Sequence, residues 1–169
     1  DDVYFDTNSD LDPYTNVIMP VNETCKGLYF SIFQDTVALD IGNTFSFTSC
    51  EINQAKAVLK NGTAVSKKHI VVNNGSLGLV SAIAAVNQYP SQADSIGFKI
   101  GPTSTFQGFN SNVLIMGNKN TNNFPALYLD PLANLNNFTP EFTIYPPFAD
   151  YPVNDIFLYF GGTAFTGTC

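Results

Sequence analysis

The chain has 169 residues, 44% of them apolar, which suits one domain with a real core and is too apolar for a disordered segment. Fourteen acids outnumber seven bases for a formal charge of −7, and all seven bases are Lys. That balance argues against nucleic acid, whose phosphates are read by Arg forks and basic patches, and against an anionic lipid surface.

Charged residues make up only 12% of the chain, against about 25% in ordinary soluble domains. About one residue in nine is Asn. A surface this neutral needs another way to stay apart from its neighbours. Four N-x-S/T sequons, at Asn22, Asn61, Asn74 and Asn137, point to N-linked sugar and so to a secreted or cell-surface protein. The start at Asp1, without a Met, reads as a processed chain or an excised domain. No run of about 18 apolar residues exists, so no membrane span is expected.

Residues 1–24 read as an acidic arm or edge segment ahead of a single domain over 25–169. Asp6, Asn8, Asp10 and Asp12 recur at alternate positions, as oxygen ligands do in a calcium loop, which makes calcium the one cofactor suggested. The helix-loop-helix form is excluded, because Leu11 stands where its Gly belongs and Val17 where its terminal Glu belongs. Two apolar runs, Val3-Tyr4-Phe5 and Val17-Ile18-Met19, are candidates for strands donated to a neighbouring copy.

From Cys25 to Cys50 the sequence reads as three short strands: Leu28 to Phe33, Val37 to Ile41, and Thr44 to Thr48 with Phe45 and Phe47 on one face. A Cys25–Cys50 disulfide would bracket this meander; Cys50–Cys169 and Cys25–Cys169 are the alternatives, since spacing does not fix connectivity. Asn61-Gly62 and Asn74-Gly75 are hairpin signals and favour a further meander over a helix from Ser49. Leu79 to Val86 fits a buried strand or a short helix equally. Strands are expected again over 95–100, 113–116, 126–129, 141–145 and 155–160, with 103–112 as a loop or irregular edge. Roughly ten short, mainly antiparallel strands with frequent turns describe an all-β sandwich or jelly roll.

No catalytic constellation is visible. His69 is the only histidine, too few for an imidazole metal site, and reads as an edge residue beside Lys67 and Lys68. There is no G-x-S-x-G elbow and no phosphate loop; Gly161-Gly162 reads as a bulge. The one enzyme route the composition allows is glycoside hydrolysis by two of Asp35, Asp40, Glu51, Asp94, Asp130, Glu141, Asp150 and Asp155. The expectation is a structural or adhesive surface protein that self-associates or meets another surface component. The alternative is a carbohydrate-binding module using Tyr128, Tyr145 and Tyr151.

Overall fold

The computed structural model describes residues 1–7, 9, 14–31, 35–87, 96–116, 127–135, 141–145 and 158–160. Thirteen strands are present among them: β1 Val3–Phe5, β2 Tyr14–Ile18, β3 Gly27–Ser31, β4 Thr36–Asp40, β5 Thr44–Asn53, β6 Lys56–Asn73, β7 Ser76–Asn87, β8 Phe98–Ile100, β9 Thr105–Phe109, β10 Asn112–Met116, β11 Leu127–Leu129, β12 Glu141–Tyr145 and β13 Leu158–Phe160. Every pairing between them is parallel. The antiparallel sandwich or jelly roll expected from the sequence is therefore wrong: the chain is a parallel β-solenoid.

Three stacks of strands form three faces. Face 1 stacks β1, β3, the second half of β5, the last part of β6, β8, β11 and β13. Face 2 stacks β2, β4, the first part of β6, the first part of β7, and β9. Face 3 stacks the first half of β5, the middle of β6, the second half of β7, β10 and β12. β6 thus runs through all three faces as a single strand, bent at Asn61. Corner A joins faces 1 and 2, corner B joins faces 2 and 3, and corner C joins faces 3 and 1.

The coil is built from the same alternation that suggested a sandwich. In each rung, alternate residues point inward and stack on their counterparts one coil away. On face 1 one inward column is Leu28, Cys50, Ile70, Phe98 and Leu127, and the next is Phe30, Ile52, Val72, Ile100 and Leu129, all buried. On face 2 the inward pairs are Val37–Ala57–Leu77–Phe106 and Leu39–Leu59–Leu79. On face 3, Phe45, Ala64, Ala84 and Val113 form one column. Each Leu, Ile, Val or Phe so buried contributes about 1.5–3 kcal/mol of transfer free energy. Aromatic rings add to the stacking where they meet, as Phe5 on Phe30 does at 5.0 Å.

The corners explain the Asn-Gly dipeptides. Gly42, Asn61, Ser81 and Asn110 all stand at corner B with φ between 47 and 67°, as does Asn22 in the first coil. Gln54, Asn74 and Thr103 do the same at corner A. A single left-handed residue redirects an extended chain without ending its ladder, and Asn tolerates that conformation better than most side chains. The following Gly has a different task. A Cβ on Gly62 would lie 2.7 Å from Asn43 O, and one on Gly75 would lie 2.7 Å from Ala55 O. These glycines let one coil's corner sit on the corner before it. Asn61-Gly62 and Asn74-Gly75 are thus corners of a coil, not hairpin turns.

Other local expectations divide. Leu79 to Val86 is strand, within β7, and 103–112 contains the regular strand β9. The described residues of 1–24 belong to the first coil: β1 pairs β3, β2 pairs β4, and Thr24 bridges Ser46. The apolar runs expected to reach a neighbour accordingly lie on strands of the same chain.

The Cys25–Cys50 disulfide is also overturned: both thiols are free. The reason is register. Thr24 faces Ser46 and Leu28 faces Cys50, so one coil separates residues 22 apart. Cys25 lies 25 residues before Cys50 and falls three positions short of it along the strand. Cys50 points into the core between Leu28 and Ile70, while Cys25 is half-buried at corner C with its Sγ 3.4 Å from Gly27 O.

Candidate functional surface

A parallel solenoid has no mouth or sandwich end, so its lateral faces and corners are where side chains can meet a partner. Face 1 carries the most distinctive outward set. Between its two inward columns runs an outward column of Tyr4, Tyr29, Glu51, Val71, Lys99 and Tyr128, each in register with the next. Strand spacing sets these residues about 4.8 Å apart along the axis.

The column is organised by contacts between its members. The Tyr4 and Tyr29 rings stack at 5.0 Å with 17° between their planes. Lys99 Nζ lies 5.9 Å from the centre of the Tyr128 ring, within cation–π range. Tyr128 donates its hydroxyl hydrogen to Asp130 Oδ2 at 3.0 Å, which fixes the ring. Beside the column, Glu51 and His69 approach at 3.3 Å; the His69 side chain is 13% exposed and that of Glu51 37%. On the other flank Asn73 Nδ2 donates to Asn53 Oδ1 at 3.0 Å, an amide ladder between successive rungs. Burial and the nearby carboxylates of Asp2 and Glu51 push the Tyr29 hydroxyl pKa up, so the phenol stays protonated as a donor.

The sequon residues occupy a second kind of position. Asn22 and Asn61 are exposed at corner B and Asn74 is exposed at corner A. Asn61 Nδ2 donates to Asp40 Oδ1 at 3.0 Å, and Asn74 Oδ1 accepts from Thr103 Oγ1 at 2.7 Å. Asn137 lies outside the described residues.

The remaining sequence candidates are scattered. Of the proposed calcium ligands only Asp6 is described; it follows β1, and its backbone N–H donates to Ser9 Oγ. Asn8, Asp10 and Asp12 lie outside the described residues, as does Tyr151. Tyr145 ends β12 on face 3, away from Tyr128 on face 1. Of the carboxylates weighed for hydrolysis, Asp40 lies 3.5 Å from Lys60 on face 2, Glu51 meets His69, and Asp130 caps the Leu132 N–H, while Asp94, Asp150 and Asp155 lie outside the described residues. Among the described residues no three His, Cys, Asp or Glu side chains gather as a metal site would need. No described helix is long and apolar enough to cross a membrane. At corner C an open cleft of about 310 Å³ is lined by Thr24, Cys25, Lys26, Ser46, Thr48 and Lys67, among others.

Sequence reasoning found Tyr128 but missed Tyr4, Tyr29 and Lys99. The signal that finds them is coil register. It is hard to read because the coil length changes, from 20 residues between Glu51 and Val71 to 29 between Lys99 and Tyr128. The fold and these surfaces define a class, the three-faced parallel β-solenoid with left-handed Asn corners. Compared with protein-family models, characterised proteins and solved structures, the chain has no significant match in any of the three.

Proposed function

We propose that the chain is an extracellular structural or adhesive module: a β-solenoid that carries N-linked sugars at its corners and offers its lateral faces for contact. The observation that carries this reading is the placement of Asn22, Asn61 and Asn74. All three are exposed left-handed corner residues, and each is followed two positions later by a hydroxyl residue, Thr24, Thr63 or Ser76. Sugar attached there leaves the ladders and the core undisturbed. It also supplies the bulk and solubility that a chain with only 12% charged residues lacks.

The test is the intact mass of protein secreted from a eukaryotic host, before and after enzymatic removal of N-glycans. Sugar on at least two of Asn22, Asn61, Asn74 and Asn137 is expected. A mass equal to the bare chain in both samples refutes the glycoprotein reading.

Self-association belongs to the same proposal, and the fold favours a particular route. Among the described residues, β1 and β2 each pair on one side only, with Tyr14 and Ile18 exposed. An open edge of this kind can recruit another strand edge; β1 is flanked by Asp1, Asp2 and Asp6, so β2 is its less guarded part. Copies would stack end to end through this edge, with no exchange of strands. Light scattering across a concentration series should show growth in particle mass; one-chain mass at every concentration removes the self-association.

A further inference from the structure

We propose that the outward column of face 1 binds an extended, uncharged polysaccharide lying along the solenoid axis. The inference rests on the adhesive reading and names the ligand class it would serve.

Tyr29, Glu51, Val71, Lys99 and Tyr128 occupy successive rungs, so the two tyrosines stand about 19 Å apart on a straight line. A ligand that touches both must be long and linear. The surface is set up to let it lie close: a Cβ on Gly27 would collide with the Tyr29 ring, so the missing side chain lets that ring lean over the strand.

Aromatic rings with polar tips, interleaved with hydrogen-bonding side chains, suit a ligand that has apolar C–H faces and hydroxyls on its rim. Face 1 supplies rings at Tyr4, Tyr29 and Tyr128. It supplies donors and acceptors at Glu51, His69 and the Asn53–Asn73 amide ladder. The column holds one acid and one base, and the Asp2 and Asp130 carboxylates stand beside its tyrosines, so it has nothing to attract an acidic polymer. Lys26 and Lys67 lie at corner C, off this column.

A peptide adding as a strand is the other lateral partner, and face 1 does not suit it. A peptide that adds as a strand needs unpaired backbone N–H and C=O groups. On face 1 the strands from β3 to β11 are paired on both sides, so only side chains are on offer.

The experiment is retention of the full chain on immobilised neutral polysaccharides (β-1,3-glucan, chitin and mannan) with alginate as the acidic control. Soluble oligosaccharides of increasing length then serve as competitors. Retention on at least one neutral polymer, insensitive to salt and competed better by longer oligomers, is expected. Tyr29→Ala and Tyr128→Ala should each weaken binding about tenfold. Tyr29→Phe and Tyr128→Phe, which keep the rings, should lose less, and Val80→Ala on face 2 should have no effect. Should an alanine variant fail to fold, Glu51→Gln and Lys99→Gln probe the same column from side chains that pack little. No retention on any neutral polymer, retention abolished by salt, or binding indifferent to every face 1 variant overturns the proposal. Adhesion of cells displaying the protein separates the two readings. Adhesion that survives the face 1 variants leaves the adhesive reading standing without this ligand, whereas a parent chain that confers no adhesion removes the adhesive reading itself.

Discussion

Gly62→Ala tests the stacking of coils directly. Gly62 is not in the left-handed region, so its substitution carries no penalty of conformation. Its new Cβ would lie 2.7 Å from Asn43 O and 2.8 Å from Ile41 Cγ2, both in the preceding coil. Ordinary contact begins near 3.4 Å, so the Asn43 carbonyl must retreat by about 0.7 Å. That carbonyl accepts the Thr63 N–H at 2.8 Å, a bond between coils, and the retreat stretches it. Overpacking of this kind costs about 1–3 kcal/mol and a weakened backbone bond about 1 more, giving roughly 3 kcal/mol. For a chain of this size that lowers Tm by about 6–12 °C. Gly42→Ala at the same corner is the internal reference. Gly42 has φ +67°, and a Cβ added to it would meet nothing within 4 Å, so it should lose only the left-handed penalty of about 1–2 kcal/mol. Thermal unfolding followed by circular dichroism ranks the two. If Gly62→Ala is neutral, or costs less than Gly42→Ala, corner B does not stack as described. A hairpin with left-handed residues at both central positions would predict a purely conformational cost at Gly62, unrelieved by changing Ile41. In the solenoid, Ile41→Ala is itself destabilising because Ile41 is buried, and combined with Gly62→Ala the two losses should sum to less than their separate values, since the crowded Cγ2 is gone.

Cys50 offers two further readouts. Alkylation of the folded protein should modify Cys25, which lines the corner C cleft, well before Cys50, which is buried; peptide mapping that finds Cys50 labelled first refutes the inward register of face 1. Burial holds the Cys50 thiol pKa well above its ordinary 9.0. The stability tied to this shift is complete below pH 9. As pH rises further the unfolded chain releases the proton and the folded chain does not, so stability falls. Between pH 8 and pH 10 the parent should lose about 1.4 kcal/mol more than Cys50→Ala. Equal losses in denaturant titrations at the two pH values would show that Cys50 ionises freely in the folded state.

How legible the site was follows from the same geometry. Tyr128 could be singled out as an aromatic residue near a loop. Its partners could not, because Tyr29 and Lys99 become neighbours of one line only after three coils are wound. For the matching reason Tyr128 and Tyr145 stand on different faces, β11 on face 1 and β12 on face 3, while Tyr151 lies outside the described residues.

By itself the sequence determined that this chain is all-β, where most of its strands lie, and which residues of those strands share a face. Phe45 and Phe47, like Leu28 and Phe30, alternate with more polar neighbours, and a period of two forces opposite faces whatever the strand pairs with. It also marked Asn61-Gly62 and Asn74-Gly75 as places where the chain turns. What the tertiary structure alone decided is the direction of pairing. An Asn-Gly step can reverse the chain when both residues are left-handed, or bend it into the next face when only the first is, and local chemistry permits both. The choice rests on whether the residue about 20 positions on can close the rung, as Lys56 does with Ser76 and Ala57 with Leu77. That decision fixed the parallel coil. It left Cys25 three positions short of Cys50 and assembled the face 1 column from residues that no local window contains.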